Sequence, residues 1–259
     1  METLSVPRLS IVLIVKNEAS TIAECLEPLS WADEIVILDS GSSDATVEIA
    51  KRYTDKVFID SDWQGYGVQR QRAQSKASGD WILMIDADER LTPELTASIQ
   101  QAIKVDDRSK VYALPRLSYC FGRFIHHCGW YPDYVTRLYP NDKAAYNDVR
   151  VHEKLSVPKE MQCIKLKGDM LHYTYNNIEH YLVKSAKYAD EWALQKIARG
   201  KSASLFQGVL HALGCFVRMY FFRAGFLDGR QGFLLSLLSA HSTFVKYAAL
   251  WEKRLKDST

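Results

Sequence analysis

Features that this sequence lacks narrow its class before any motif is read. Its five cysteines (25, 120, 128, 163 and 215) are odd in number and form no Cys-x-x-Cys pair. That argues against a disulfide framework and for a reducing, cytoplasmic compartment. No apolar leader precedes the first strand, since Pro7 and Arg8 run straight into Leu9, so no signal peptide is expected. Two stretches free of formal charge, 202–217 and 231–245, run 16 and 15 residues, short of the ~20 that a spanning helix needs. Internal repeats, low-complexity segments, a dinucleotide fingerprint and a P-loop are all absent. Charge of one sign is missing too: 33 basic residues face 31 acidic ones, and no whole-chain field points to nucleic acid.

The 259 residues, 47% of them apolar, suffice for one large α/β domain with an appendage. Charge is unevenly spread. From Arg199 onward nine Lys/Arg face three acids, leaving the tail at +6 and the preceding part at −4. A basic, apolar tail of this kind suits an anionic membrane surface, with interfacial or re-entrant helices anchored by Arg218, Arg223, Lys246 and Trp251. A soluble helical hairpin is the plainer alternative.

Up to residue 117, short apolar runs alternate with helical patterns. Strands are predicted at 9–15, 34–38, 56–59, 81–85 and 111–117. Thr21-x-x-Glu24 reads as a capping box opening a helix to about residue 29, Ser42 and Ser43 as caps of a helix burying Val47, Ile49 and Ala50, and 66–77 as a further helix. Thr92 reads as the cap of a helix with Pro93 in first position. Such alternation predicts a mostly parallel sheet with helices on both faces. Ligands then bind beyond the carboxyl ends of the strands, where 16–18, 39–44 and 86–89 should meet. The expected organisation is a domain over 1–177, with a donor half at 8–117 and an irregular acceptor side at 118–177, followed by a helical region at 178–259.

Asp86-Ala-Asp88 follows a strand, so both carboxylates can face one divalent cation, Mg²⁺ or Mn²⁺, that neutralises a diphosphate. Alone the triplet is common; after a buried strand and two other strand-end acids it carries more weight. Asp39-Ser-Gly-Ser-Ser-Asp44 is a turn in which Asp39 is the least explained residue, free to meet a base imino group. A haloacid-dehalogenase-like phosphatase would carry its Asp-x-Asp at the first strand, without Arg90 in fifth position. His126-His127-Cys128 has no second Cys/His pair at a useful spacing for zinc.

Val15-Lys-Asn-Glu18, the Asp39–Asp44 turn, Arg70-Gln71-x-Ala73 and Ile85-Asp-Ala-Asp-Glu89 together resemble, in order, the motifs of glycosyltransferase family 2, whose fold is called GT-A. The resemblance spans roughly residues 8–175. Trp31-Ala-Asp-Glu34, Trp63-Gln-Gly-Tyr-Gly67 and the tail resemble more narrowly the bacterial lipopolysaccharide-core branch, which includes β-1,4-glucosyltransferases acting on the inner-core heptose. Ser40 and Gln71 depart from the commoner Asp and Asn. The resemblance implies a nucleotide site at Val15, Lys16, Asn17 and Glu18, with Asp39 on uracil, Arg70 and Gln71 near the ribose and diphosphate, and Asp86 at the ribose and a metal-bound water. It also implies Asp88 on the metal, with His172 completing the shell. Glu153, after Val151-His152, is the first choice as catalytic base and Asp133 the second. The expected partners are a UDP-sugar, a lipid-linked saccharide acceptor and the inner membrane, on which the protein would be peripheral. The competing readings are a catalytically inactive, membrane-docked sugar-nucleotide-binding protein and a family 2 transferase acting on another surface polysaccharide or glycolipid.

Overall fold

The computed structural model describes residues 6–148, 153–175 and 177–256. The chain divides into two compact units, Met1–Arg116 with Asp133–His172, and Leu117–Pro132 with Tyr173–Thr259. Segment 117–132 is thus grouped with the C-terminal helices. The strands are β1 (Leu9–Val15), β2 (Glu34–Asp39), β3 (Val57–Ile59), β4 (Trp81–Ile85), β5 (Glu89–Leu91), β6 (Lys110–Cys120), β7 (Arg123–Phe124), β8 (Asp133–Pro140), β9 (Ala145–Tyr146), β10 (Leu155–Ser156), β11 (Gln162–Lys165) and β12 (Met170–Tyr175). The helices are α1 (Ile22–Leu26), α2 (Thr46–Ala50), α3 (Tyr66–Gln74), α4 (Pro93–Val105), α5 (Ile178–Ala198), α6 (Leu205–Val217) and α7 (Gly229–Lys256).

β1 is apolar at every position but Ser10 because both of its faces are covered. Leu9, Ile11, Leu13 and Val15 pack with Ile22 and Leu26 of α1 and with Leu95 and Ile99 of α4. Val12 packs on the other face with Val36, Ile82 and Ala73 of α3. β1 pairs in parallel with β2 on one side and β4 on the other, in a register that sets Val15 opposite Asp39 and Leu13 opposite Ile85. The three strands therefore end together, and the loops that follow them emerge at one edge, as the alternation predicts.

The main sheet runs β3-β2-β1-β4-β8-β6-β12-β5. Its parallel part is β3-β2-β1-β4; from β4 onward the pairs with β8 and between β8 and β6 are antiparallel, so the sheet is mixed. Antiparallel β5–β12 pairing sets His172 opposite Glu89.

Two local expectations fail. Thr21 does not form a capping box with Glu24; its hydroxyl donates instead to the Glu18 carbonyl at 3.2 Å and carboxylate at 2.8 Å, although the helix does reach Leu29, its last turn, Glu27–Leu29, being 3₁₀. Ser42 and Ser43 do not cap α2, whose buried residues are Thr46 and Ala50. Thr92 does cap α4, accepting from Leu95 N at 3.3 Å, with Pro93 next in line.

In the second unit, β6 and β7 form a hairpin whose turn, Phe121-Gly122, takes positive φ at both residues, the conformation of a tight two-residue hairpin turn. Cys120, Ile125 and Cys128 share a core with Tyr181 of α5, Met219 and Leu235 of α7. The chain between α6 and α7 forms a π-turn (Arg218–Phe222) and a 3₁₀ turn (Gly225–Asp228). Gly232 admits no side chain, since a Cβ there would lie 1.9 Å from the Gly225 carbonyl oxygen.

Candidate active site

The loops after β1 and β2 are laced together by side chains. Asn17 takes a left-handed conformation (φ 57°), which Asn tolerates better than most residues. Its N–H donates to Ser42 Oγ at 2.8 Å, and its Oδ1 accepts from Ser43 N at 2.8 Å. Glu18 N donates to Thr46 Oγ1 (2.7 Å) and Ala19 N to Asp44 Oδ2 (3.2 Å). The hydroxyls that the sequence offers as helix caps are spent on tying this loop to its neighbour. Asp39 is buried. Its carboxylate accepts from the N–H groups of Gly41 and Ser42, both at 2.8 Å, and from Ser42 Oγ at 2.5 Å. Ser40, where the resemblance leads one to expect Asp, is buried and accepts from Gln69 Nε2 at 3.0 Å. Val15 is buried and Lys16 exposed.

At the tip of β4 an arginine cluster holds the acids. Arg70 Nη2 and Arg137 Nη2 each lie 2.7 Å from a different oxygen of Asp86. Arg137 also meets Glu89 at 3.1 Å, and the Glu89 carboxylate accepts from Asp86 N at 2.9 Å. Arg70 Nε reaches Glu153 at 3.2 Å, while its guanidinium lies 5.1 Å from the centre of the Tyr146 ring. Arg116 pairs with Asp133 at 2.6 Å. Gln71 Nε2 donates to the Tyr146 carbonyl at 2.5 Å, so its amide is anchored on β9. Val151 and His152 lie outside the described residues.

Burial would push the Asp86 carboxyl up, but the guanidiniums of Arg137 and Arg70 override it and hold the group far below the usual carboxylate range. For Glu89, fully buried, the balance reverses. Desolvation, with Asp86 and Asp88 adding to it, outweighs Arg137 and raises its carboxyl. Glu18 is raised as well, first by burial and then by the charges of Asp88, Asp86 and Asp44. Three arginines (Arg70, Arg116 and Arg137) thus pair with four carboxylates (Asp86, Glu89, Asp133 and Glu153), and Asp88 and Glu18 add two more acids beside them, leaving a local excess of negative charge. Such an excess favours a cation.

A model of the family "Glycosyl transferase family 2" matches residues 10–154. The chain belongs to this family. An uncharacterised glycosyltransferase of Rickettsia felis is 31% identical over 96% of this chain and 92% of its own length. The lipopolysaccharide core biosynthesis glycosyltransferase LpsC of Rhizobium meliloti is 29% identical over 95% and 92% of the two chains. A crystal structure of glucosyl-3-phosphoglycerate synthase from Mycobacterium tuberculosis with Mn²⁺ and UDP-glucose aligns at 24% identity over 44% of each chain, with a TM-score of 0.36. The protein is therefore a glycosyltransferase, with the GT-A fold of family 2 and a helical C-terminal part.

Family 2 chemistry raises the question of a divalent ion, and the donor set fits one. Asp88 Oδ2 and His172 Nε2 lie 3.2 Å apart, with a third of the aspartate side chain exposed. His172 reaches Asp88 through the β5–β12 pairing. The start of β12 is fixed in turn by Gly168 (φ 84°), where a Cβ would come within 2.2 Å of Leu95 N, and by Asp169 N donating to Thr92 Oγ1 at 3.0 Å. Among the described residues no three His, Cys, Asp or Glu side chains form a complete ion cage, so Asp88 and His172 would share an ion with ligand oxygens. Asp86, both of whose oxygens are held by guanidiniums, serves here as their counter-charge. Arg70 Nη1 is buried without a hydrogen-bond partner among the described residues, one donor more than the surrounding carboxylates use.

Sequence reasoning placed Glu89 here with the 86–89 cluster but missed Arg137, Arg116 and Tyr146 as parts of this site. The signal was an arginine inside Val135-Thr-Arg-Leu-Tyr139: a charge within a run that alternates like a strand is buried on one face and must be paired.

Proposed function

We propose that the protein is an inverting, metal-dependent hexosyltransferase that moves glucose from UDP-glucose onto the inner-core heptose of a lipopolysaccharide precursor, at the cytoplasmic face of the inner membrane. The observation that carries the chemistry is the half-open Asp88–His172 pair, set in an excess of acids. Likeness to LpsC over nearly the whole chain supports the acceptor class, and the motif resemblance supports the donor.

Asp88 and His172 would hold Mn²⁺ or Mg²⁺, which supplies charge neutralisation for the departing diphosphate. Loops 15–18 and 39–44, cross-linked as they are, form a rigid floor for the nucleotide. Arg70 orients Glu153, which it meets through Nε at 3.2 Å. The acceptor hydroxyl attacks the anomeric carbon from the face opposite the diphosphate. A new glycosidic C–O bond forms as the C–O bond to the diphosphate breaks, and the hydroxyl proton passes to Glu153. Configuration inverts in this single displacement.

The test is a panel of UDP-glucose, UDP-galactose and UDP-N-acetylglucosamine with purified protein, a heptose-containing lipid acceptor and Mn²⁺, read by mass spectrometry. Glucose should be added, and EDTA should abolish the addition; transfer that persists in EDTA sinks the metal assignment. Glu153→Gln should lower turnover ~10²-fold while donor affinity holds, whereas wild-type turnover would move the base to Asp133.

A further inference from the structure

In the helical unit, Leu205–Phe222 and Gly225–Leu255 have the length and composition of membrane segments, yet 11% and 22% of their most apolar windows are buried. A core helix of a soluble protein would be mostly covered. The exposed side chains form a stripe: Phe206, Leu210, Leu213, Val217 and Phe221 recur every three or four residues, the spacing of one helix face, and Phe222, next to it at the turn, is exposed as well. Phe206 is 70%, Leu213 59% and Phe222 81% exposed.

From residue 202 to 251 every exposed formal charge is positive, and Glu252, near the end of α7, is the one exposed acid among the described residues of the hairpin. Between residues 202 and 251 the only acid is Asp228. It is fully buried and accepts from His127 N at 2.7 Å and His126 N at 3.3 Å. Arg218, Arg223 and Arg230 are exposed around the turn between α6 and α7.

Both ends of the hairpin are tied to polar chain. At the turn, Cys128 N donates to the Arg223 carbonyl at 2.9 Å, beside the buried Asp228. At the far end, Lys253 pairs with Asp190 of α5 at 2.5 Å, and Ser185 bonds Ser242 at 2.7 Å. A helix pair tied at its turn to the 120–128 segment and along α7 to α5 is held as a hairpin that lies along a bilayer more readily than it threads one.

We propose that the α6 stripe and the α6–α7 turn form a monotopic docking surface for an anionic lipid bilayer. The helices lie in the interface plane, with Phe206, Leu213 and Phe222 entering the acyl boundary and the three arginines meeting headgroup phosphates. The proposal rests on the reading that the acceptor is carried by a lipid. A second copy of the chain is a poorer occupant, because a two-fold contact would set the arginine-rich patch against itself.

Flotation of the full chain with vesicles of phosphatidylcholine alone, or mixed equally with phosphatidylglycerol, tests this without donor or acceptor. The wild type should float with the anionic vesicles and be released by salt. Leu213→Glu with Phe222→Glu should reduce partitioning at least ~10-fold, and replacing Arg218, Arg223 and Arg230 by Gln about 10²-fold. Circular dichroism should stay unchanged, since the replaced side chains are exposed. Variants that float like the wild type would overturn the proposal. So would a wild type that ignores both vesicle types, or one that light scattering shows to be a dimer split by Leu213→Glu with Phe222→Glu. Flotation without any sugar transfer would count against the assigned chemistry alone; transfer to a detergent-dispersed acceptor without flotation would count against this surface alone.

Discussion

The two edges of the parallel strands bury the same kind of group and do opposite things with it. At the amino edge, Glu34 opens β2 with its carboxylate buried. It accepts from Ser10 Oγ, from Ser78 N at 2.8 Å and Ser78 Oγ at 2.9 Å, and from Lys56 Nζ. One acid there has one cation and three further donors. At the carboxyl edge three arginines are shared among four acids, burial raises the Glu89 carboxyl, and Asp88 stays partly open beside His172. A buried carboxylate with complete partners contributes stability; a group of them left short of positive charge is a place for a ligand.

The strongest way to break this contrast is Asp88→Ala. Because Asp88 touches little besides His172, the variant should unfold within about 1 kcal/mol of wild type, while transfer falls on the order of 10³-fold. Calorimetric titration of Mn²⁺ with UDP should show the loss directly. Wild-type turnover in the variant would remove the residue from the site.

Arg137→Met tests whether the carboxyl edge is purely functional. The change leaves Glu89 with only the more distant Arg116, at 3.8 Å, and Asp86 with only Arg70 in a buried setting, so urea unfolding should show a loss of about 3 kcal/mol. Adding Glu89→Gln should recover part of it, because the two side chains are coupled. If Arg137→Met alone were neutral in stability, the cluster would owe its cohesion to Arg70 and Arg116.

The parallel half of the fold was legible because its signals are local and agree with one another. β1 and β4 are continuous apolar runs of strand length, and Thr92-Pro93-Glu94 states a helix start in three residues. Asp86 and Asp88 were legible for the same reason, each following such a run. Thr21 and Ser42 misled because a hydroxyl near a helix start has two uses, capping or tying loops, and local sequence does not choose between them. Arg137 was hidden for a different reason. It comes from an antiparallel strand some fifty residues beyond Asp86, its partner at 2.7 Å, and only the β4–β8 pairing brings them together.

Glu34→Gln sharpens the contrast from the other edge, with the smallest effect on activity. Burial pushes the Glu34 carboxyl up, but hydrogen bonds from Lys56, Ser10 and Ser78 outweigh it and bring it down to about 2 from an ordinary 4.5. A folded value below the unfolded one means that the stabilisation is present above pH 4.5 and is lost as the pH falls toward 2. The amount at stake is about 2–3 kcal/mol. At neutral pH the variant should therefore be less stable by about that much, and its deficit against wild type should close as the pH drops through this window. Its kcat and KM with donor should stay at wild-type values, since nothing at the amino edge touches the sugar-nucleotide site. A deficit that is the same at pH 3 and pH 7 would mean that packing, rather than the ionised carboxylate, is what Glu34 contributes, and the likeness between the two edges would then end at the residue type.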